Sequence, residues 1–376
     1  MRIGKVNNDD TNINTEVIFT YQVNGVYSGL SSNNGFEHHT YILLSNNQYQ
    51  MKDLGCHYFL NLDQYKEQLI SGDVLKLDSR RTLFLSFRKS SKDNTLFLTN
   101  SCNNRCLMCS QPPSSKNDLA YYFQFTKSLI DILPLDINDI GITGGEPTLH
   151  GENLIKIFEL LFERYPDIYL HTLSNGRYFS KMENTFKFKD ILSKNMAIGI
   201  PLHSDYFADH DLISGKSGSY NETMKGLYNL ASFKTRIELR IVINKINYQR
   251  LPQISEFIFK NLPFVNHVAF MGMENIGYAV KNKEQIWVDP VEYKISLAEA
   301  VSNLSGWNMN VSVYNIPYCL SEPSIYDYLC KSISEWKIKF PDYCLGCHFI
   351  QNCCGLFNTS VYQSSGIHPI TSPHNL

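Results

Sequence analysis

The chain has 376 residues, of which 43% are hydrophobic and 19% charged, and its formal net charge is -2. With 22 Phe and 23 Tyr, this is the composition of a globular protein with a large core and not of a disordered chain. The near-neutral charge disfavours nucleic acid as the main ligand. The first residues lack a long apolar stretch, and no run approaches the roughly 18 apolar residues of a membrane span. We therefore expect a cytoplasmic protein without a membrane segment.

The first part of the chain contains short β-type runs separated by turn residues such as Asn24–Gly25. The runs are "EVIFTYQV", "TYILL", "DVLKLD" and "TLFLSF". They predict a β-rich N-terminal domain over residues 1–92, which ends at the polar stretch "RKSSKDN".

Beyond this stretch, short apolar strands alternate with helical patterns, which predicts βα units with parallel strands over residues 93–288. The predicted strands are residues 95–99, 139–143, 168–173, 196–203, 236–244 and 266–273. A helix is predicted over 153–165, and another from Ser219, where Glu222 has capping-box spacing. A last helix should start near Asp289–Pro290 and stop before Gly306. The Cys-rich tail after it predicts a metal-stapled subdomain over residues 289–376.

Ten cysteines in a cytoplasmic chain indicate metal binding more than a disulfide framework. Cys56 stands alone, whereas Cys102, Cys106 and Cys109 lie close together, directly after the first parallel strand. In parallel α/β proteins, this end of a strand is the ligand face. A structural zinc site needs four ligands, but a 4Fe-4S cluster with three protein thiolates keeps one iron open for a small molecule.

A second motif, "GITGGEPTL", ends the second predicted strand. Gly144 and Gly145 have no Cβ, so a ligand can approach the backbone closely, and Glu146 offers an acceptor for an ammonium group. Pro147 ends the run by removing a donor. Alone, this motif could equally be an ordinary strand-to-helix turn.

Polar residues also follow or occupy the later strands. They are Ser174 and Asn175 after the third strand, His203 and Ser204 after the fourth, and Arg240 on the fifth. Each of them could be a ligand-binding group, a satisfied strand-end polar group or, for Arg240, part of a structural ion pair.

The tail contains a second group of cysteines, whose spacing fits zinc and iron-sulfur clusters equally well. They are Cys319, Cys330, Cys344, Cys347, Cys353 and Cys354.

The two motifs together resemble the radical SAM superfamily, which has Cys-x3-Cys-x2-Cys after the first strand and Gly-Gly-Glu-Pro after the second strand of a partial (β/α)6 TIM-type barrel. The resemblance implies that Cys102, Cys106 and Cys109 ligate a 4Fe-4S cluster. The open iron would bind the amino and carboxylate groups of S-adenosylmethionine (SAM), and the segment Gly144–Pro147 would contact its ammonium end. Reductive cleavage of SAM would then give a 5'-deoxyadenosyl radical.

Further residues take a role through this resemblance. Met108 stands where the family usually has an aromatic residue against adenine, and a thioether can still pack there. Ser174, Asn175 and Arg240 suit polar groups of SAM. An electron donor such as flavodoxin or ferredoxin is implied as a partner.

The tail resembles the SPASM or twitch extensions of peptide-modifying radical SAM enzymes, which implies an auxiliary 4Fe-4S cluster. Phe357 stands where the full SPASM pattern has a further Cys, so a single cluster is expected. Its implied ligands are Cys344, Cys347 and Cys353, with Cys319 as the fourth and Cys330 or Cys354 as rivals; zinc remains an alternative.

The segments "CNNRCLMCSQPP", "SISEWK" and "CLGCHFIQNCCGLF" resemble the radical SAM maturases of the His-Xaa-Ser peptide-modification system (HxsC). This resemblance implies a substrate with His-Xaa-Ser repeats, a second radical SAM protein and a small partner protein. "SISEWK" could also be an amphipathic helix with Trp336 in the core. Two other functions stay open: a radical SAM enzyme that acts on a small molecule, and a non-catalytic, zinc-stapled binding protein.

Overall fold

The computed structural model describes residues 2–5, 17–21, 26–31, 38–43, 58–59, 68–80 and 82–371. The chain divides into two compact units, one formed by Met1–Thr99 and Asn117–Leu170, the other by Asn100–Lys116 and His171–Leu376. The predicted turn at Asn24–Gly25 and Cys56 lie outside the described residues. In the described part of the chain, no helix is both long and apolar enough to cross a membrane.

The first unit begins with a seven-stranded sheet in the order β1-β7-β6-β2-β3-β4-β5. Its strands are β1 (Arg2–Lys5), β2 (Val17–Thr20), β3 (Val26–Ser31), β4 (His38–Leu43), β5 (Tyr58–Phe59), β6 (Val74–Leu77) and β7 (Thr82–Phe87). Neighbouring strands are antiparallel except β4 and β5. Each of the four predicted β-type runs overlaps one of these strands. Ile18, Phe19 and Leu75 are fully buried in this sheet.

The first unit continues with parallel βα structure. Its elements are β8 (Thr95–Phe97), α1 (Leu119–Ile132), β9 (Asp139–Thr143) and α2 (Glu152–Arg164). Strand β8 pairs in parallel with β9, so Leu96 lies opposite Ile142. Helix α2 buries one apolar stripe, as its sequence predicts, and leaves its charged face outside.

The second unit carries parallel strands in the order β15-β14-β13-β12-β11-β10. They are β10 (Tyr169–Leu173), β11 (Met196–Pro201), β12 (Arg236–Val242), β13 (His267–Met271), β14 (Val311–Tyr314) and β15 (Leu329–Cys330). The pairings from β11 to β15 are all parallel. Together with β8 and β9, four of these strands confirm the predicted α/β core with parallel strands. Strands β14 and β15 are too short for their sequence pattern to predict.

Helices fill the connections of the second unit. They are α3 (Met182–Lys187), α4 (Lys189–Leu192), α5 (Phe207–Ser214), α6 (Ser219–Ser232), α7 (Leu251–Asn261), α8 (Tyr278–Lys281), α9 (Lys283–Ile286) and α10 (Pro290–Gly306). The predicted start of α10 is confirmed, because the Asp289 carboxylate accepts a hydrogen bond from the Val291 amide and Pro290 is the first helical residue. The helix includes Gly306, one residue more than predicted.

The capping box predicted for α6 is wrong. Ser219 is already the first helical residue, and the cap position is Gly218 in the left-handed conformation. The two oxygens of Asp211 instead accept hydrogen bonds from the amides of Gly218 and Tyr220 at 2.6 and 2.7 Å. A carboxylate from the preceding helix therefore caps α6.

Apart from β14 and β15, the chain after α10 consists mostly of 3-10 turns and one small antiparallel pair of strands, β16 (Ile338–Lys339) and β17 (Leu356–Phe357). Residues Glu335–Lys337 form a short 3-10 turn in which Trp336 is 54% exposed. The alternative that "SISEWK" is an amphipathic helix with a core tryptophan is therefore wrong. A segment this short buries too little surface to form a helix of its own.

Candidate functional site

The loop of residues 100–116 carries Cys102, Cys106 and Cys109 in the second unit. Negative charge on Cys102 or Cys109 would raise the pKa of Cys106, so the sulfurs of Cys102 and Cys109 each lie within electrostatic reach of Cys106. Burial is the larger cause, and together they raise the pKa of the Cys106 thiol to about 12. Burial also raises the pKa of Cys109. Three thiolates can exist together here only when a cation balances them, which is the chemistry of a metal or cluster site.

Backbone contacts fix this loop on α5 and α8. The amides of Arg105 and Leu107 donate to the carbonyls of Ser214 and Ile213 at 3.0 and 2.8 Å. The Tyr278 amide donates to the Cys109 carbonyl at 2.9 Å. These bonds leave the loop few conformations, although it has no regular secondary structure.

Two glycines allow this close approach. A Cβ at Gly215 would lie 2.3 Å from the Arg105 carbonyl oxygen, and a Cβ at Gly277 would lie 2.6 Å from that of Cys109. Both glycines have a positive φ, which side-chain-bearing residues rarely adopt. Any side chain at either position would displace the loop.

Arg177 holds the other side of the loop. Its Nη1 atom donates to the Asn103 carbonyl at 2.9 Å and to the Asn104 side chain at 2.7 Å, while Nε pairs with Glu222 at 2.6 Å. The Asn175 side chain adds a 2.6 Å hydrogen bond to that of Asn103. The segment after β10 thus clamps the residues between the first two cysteines.

Met108 packs in an apolar cluster and is 8% exposed. The other buried members are Ile213, Ala279 and Ile286, and the side chains of Cys106 and Met273 pack against them. The cluster anchors the cysteine loop from its apolar side.

In the first unit, Gly144–Pro147 lies directly after β9. The Gly145 amide donates to the Thr99 carbonyl at 2.6 Å, and a Cβ at Gly144 would lie 2.8 Å from the same oxygen. Gly144 is thus needed for the close approach of two chain segments. Pro147 begins a 3-10 turn over Pro147–His150.

The carboxylate of Glu146 is 99% buried, because the residue is 1% exposed. Its Oε1 atom accepts hydrogen bonds from the Thr148 amide at 3.0 Å and the Thr148 hydroxyl at 2.6 Å. It therefore caps the following turn, and Thr148 fixes its orientation.

Ser174 and Asn175 lie at the end of β10, where both also stabilise the turn. The Ser174 hydroxyl accepts from the Gly176 amide at 3.1 Å, and Oδ1 of Asn175 accepts from the Arg177 amide at 3.0 Å. Of the two, Asn175 is the one that also contacts the cysteine loop.

Arg240 belongs to a charged network across the strands. Its Nη1 donates to Glu238 at 3.1 Å, and His267 Nδ1 contacts the other oxygen of that carboxylate at 2.9 Å. His267 Nε2 lies 2.9 Å from the Ser312 hydroxyl. His171 and His267, with Arg240, outweigh the effect of burial and hold the pKa of Glu238 far below its usual range.

His203 is completely enclosed after β11, and neither ring nitrogen has a hydrogen-bond partner among the described residues. Burial, with neighbouring His210, holds its pKa well below the usual value, so the ring is neutral. The Ser204 hydroxyl accepts from the Tyr206 amide at 3.1 Å. Both residues are thus part of the buried turn after the strand.

Four of the tail cysteines line one pocket with about 370 Å³ of empty volume: Cys319, Cys344, Cys347 and Cys353. Burial, together with negative charge on the other three, raises the pKa of Cys319 to about 11. A hydrogen bond from the Cys354 thiol lowers the pKa of Cys353 to about 6. The donor set is thus four thiols, with one of them already favouring the thiolate.

Cys330 and Cys354 do not line this pocket. Cys330 lies on β15 with its thiol 3.7 Å from the Tyr328 carbonyl oxygen, and Cys354 is 2% exposed. None of the nine described cysteines forms a disulfide. In the same described residues, no group of three or more His, Cys, Asp or Glu side chains has the geometry to hold a single metal ion.

Residues 96–258 match the family model of the radical SAM superfamily. These residues are a radical SAM superfamily domain. The superfamily consists of enzymes that use a 4Fe-4S cluster and SAM. The radical SAM domain includes the three-cysteine loop, Gly144–Pro147 and Arg240.

Similar proteins share only part of the chain. An uncharacterized protein of Methanocaldococcus jannaschii, MJ0907, is 28% identical over 207 residues, which are 52% of this chain and 65% of that protein. Solved structures include SuiB from Streptococcus suis bound to SAM (14% identity, TM-score 0.47, 61% of this chain and 51% of that one). Coproporphyrinogen III oxidase (HemN) from Escherichia coli has 12% identity and a TM-score of 0.44 over 56% of this chain and 52% of that one. The chain thus covers less than two thirds of each of these proteins.

Arg177 is the residue of this site that the sequence interpretation misses. It stands in "TLSNGR", two positions after Asn175, and its pattern alone does not distinguish it from a solvated surface arginine. Its cationic side chain in a strand-end turn beside a predicted anionic cluster is the feature that could have indicated it.

Proposed function

We propose that this protein reductively cleaves SAM at a 4Fe-4S cluster and uses the resulting radical to modify a ribosomally synthesised peptide or protein. The observation that carries the proposal is the rigid loop with Cys102, Cys106 and Cys109 inside a segment that matches the radical SAM superfamily. The loop offers three thiols whose thiolate forms need a balancing positive charge. Their spacing fits a cluster with one open iron.

The chain's own residues would hold and orient the reactants. Cys102, Cys106 and Cys109 would ligate the cluster, which when bound supplies the electron that cleaves SAM into methionine and a 5'-deoxyadenosyl radical. The three cysteines bind it as thiolates, so loading releases protons from them. The buried apolar cluster around Met108 limits the access of water to one side of the loop.

SAM would be bound by Met108, Gly144, Gly145, Glu146, Pro147, Ser174, Asn175 and Arg240. Glu146 is already oriented by Thr148, and an oriented carboxylate is a good acceptor for an ammonium group. Glu238 accepts a hydrogen bond from one guanidinium nitrogen of Arg240 and so restrains this side chain.

We propose a second, auxiliary 4Fe-4S cluster in the tail, held by Cys319, Cys344, Cys347 and Cys353. The shared pocket supports Cys319 as the fourth ligand over Cys330 and Cys354. We further propose a partial (β/α)6 barrel over residues 93–288, a separate β-rich domain over 1–92 and a twitch-like subdomain over 289–376.

The fourth ligand can be tested by single substitutions. In Cys319→Ala, we expect the auxiliary iron to fall by about a quarter or more, because the remaining three thiols leave one of the four irons without a protein ligand. Cys330→Ala is the matched control and should keep its iron, since this thiol lies outside the pocket. Iron and sulfide analysis of anaerobically purified protein measures both. Loss of iron in Cys330→Ala with full iron in Cys319→Ala would reverse the assignment.

The substrate is proposed to be a peptide with His-Xaa-Ser repeats, acted on in the cytoplasm with flavodoxin or ferredoxin as electron donor. A second radical SAM protein and a small protein are proposed partners. The test mixes reduced enzyme and SAM with such a peptide and measures 5'-deoxyadenosine and the peptide mass. About eight irons per chain, two clusters of four, with a changed peptide mass support the proposal. SAM cleavage with one cluster and no peptide change favours a small-molecule substrate, and zinc without iron contradicts both.

A further inference from the structure

A pocket with about 570 Å³ of empty volume lies in the second unit, where strands β12, β13 and β14 end. Ile243, Gly272 and Asn315 line it, each directly after its strand. In parallel sheets this is the edge at which ligands bind. None of the residues assigned above to SAM or to a cluster lines this pocket.

The tail forms the opposite wall of the pocket. Gly355–Phe357, Ser360 and Tyr362 line it, and Gly355 and Leu356 also line the four-cysteine pocket. Met273, at its other side, packs against the apolar cluster that holds Met108. The pocket therefore extends between the neighbourhoods of the two proposed clusters.

Four aromatic side chains line this pocket beside aliphatic ones. Trp287 and Tyr362 contact each other edge to face with ring centroids 5.3 Å apart, and Tyr293 and Phe357 lie in the same lining. Flat apolar groups pack well against such a wall.

One buried acceptor in the lining has no partner. Asn275 is 7% exposed, its Nδ2 donates to the Tyr362 carbonyl at 2.9 Å, and its backbone amide donates to the Ser360 hydroxyl. Its buried Oδ1, by contrast, has no hydrogen-bond partner among the described residues. A buried acceptor without a partner is energetically unfavourable, and a donor on a ligand can relieve that cost. The Asn275 carbonyl also accepts from the Val361 amide at 3.1 Å. Because the tail holds Asn275 at these three atoms, Oδ1 is fixed before any ligand arrives.

We propose that this pocket binds a flat, mainly apolar side chain that carries an N–H or O–H donor, with Asn275 Oδ1 as the acceptor. The ligand class is an imidazole, phenol or indole side chain of the peptide substrate, so the inference rests on the proposed peptide modification. Asn275 is then a specificity-determining residue, since an apolar ring without a donor leaves its oxygen unpaired.

The experiment uses the full chain with its clusters reconstituted and four small probes in matched pairs: indole against benzothiophene, and p-cresol against toluene. Ligand-observed nuclear magnetic resonance titrations give each Kd. We expect the donor-bearing member of each pair to bind roughly tenfold more tightly, as one hydrogen bond to a desolvated acceptor predicts. In Asn275→Leu, which keeps the side-chain shape, the ratio should fall to about one.

Thr359→Val is the matched control, because it removes a hydrogen bond of the same tail segment without changing the pocket lining. Thr359 does not line the pocket, but its hydroxyl donates to Glu274 at 2.6 Å in the same tail segment. This variant should keep the preference for donors. Equal binding within each pair, a preference that survives in Asn275→Leu, or absence of saturable binding overturns the assignment. SAM cleavage is measured on the same preparation, so its loss would count against the proposed function and not against the pocket.

Discussion

Replacement of Cys106 by Ala is expected to abolish SAM cleavage and to remove about half of the iron. Burial is the largest cause that raises the pKa of Cys106 to about 12, so the protein alone supports its thiolate poorly. A cluster that loses this ligand keeps two thiolates of three and is expected to dissociate. Anaerobic iron analysis and the amount of 5'-deoxyadenosine formed with dithionite measure the effect.

Cys354→Ala is the control for this substitution, because Cys354 is also a buried thiol but lies in the tail and outside the four-cysteine pocket. It should still cleave SAM. If Cys106→Ala formed 5'-deoxyadenosine at the rate of the unmodified protein, the assignment of the loop as the SAM cluster site would be wrong. The auxiliary iron should remain in Cys106→Ala, which separates a local loss from unfolding.

Replacement of Arg177 by Met is expected to reduce cluster occupancy and SAM cleavage about 10- to 100-fold, the range for groups that orient metal ligands. Arg177 makes two hydrogen bonds to the residues between Cys102 and Cys106 and is 9% exposed at its side chain. Met keeps the length and the apolar stem but removes every donor. Hydrogen exchange of residues 100–116 in the cluster-free protein should accelerate, a readout that does not depend on activity.

Two further variants separate the role of Arg177 from general stability. Arg177→Lys should recover only part of the occupancy, because an ammonium group cannot reproduce the planar fork of donors. Glu222→Gln removes the ion pair with Arg177 but not the contacts to the loop, and Glu222 is 46% exposed, so its effect should stay below about 1 kcal/mol of stability. If Glu222→Gln and Arg177→Met lost equal cluster occupancy, the ion pair would be responsible, and not the hydrogen bonds from Arg177 to the loop.

The parallel core was predictable because its strands are continuous apolar runs bounded by turn residues. Buried parallel strands leave this pattern, as in "MAIGI", whose side chains are almost fully buried in β11. The four residues of β14 and the two of β15 carry too little pattern to stand out from a Cys-rich tail. The prediction of the α6 cap failed for a different reason. The cap is Asp211, whose position depends on the preceding helix.

Residues of the candidate site could be predicted from the sequence where the residue type itself determines the chemical role. Thiol spacing predicts cluster ligands, and Gly-Gly-Glu-Pro predicts a close approach of the backbone to a ligand. In the structure, Gly144 allows a close approach to the backbone of Thr99. Arg177 and Asn275 could not be predicted in this way. Their importance lies in the atoms they face, and single arginine and asparagine residues occur throughout loops.

Glu274 joins the two ends of a loop in the tail, a feature that the cysteine spacing does not indicate. One carboxylate accepts hydrogen bonds from both Lys337 and Thr359, and β16 pairs with β17 directly inside these two positions. The segment that carries Cys344, Cys347 and Cys353 is thus a loop with tied ends. Closing that loop is part of folding, so binding of the proposed auxiliary cluster would not carry that entropic cost again. The affinity for such a cluster would then depend on a carboxylate that is not among its proposed ligands.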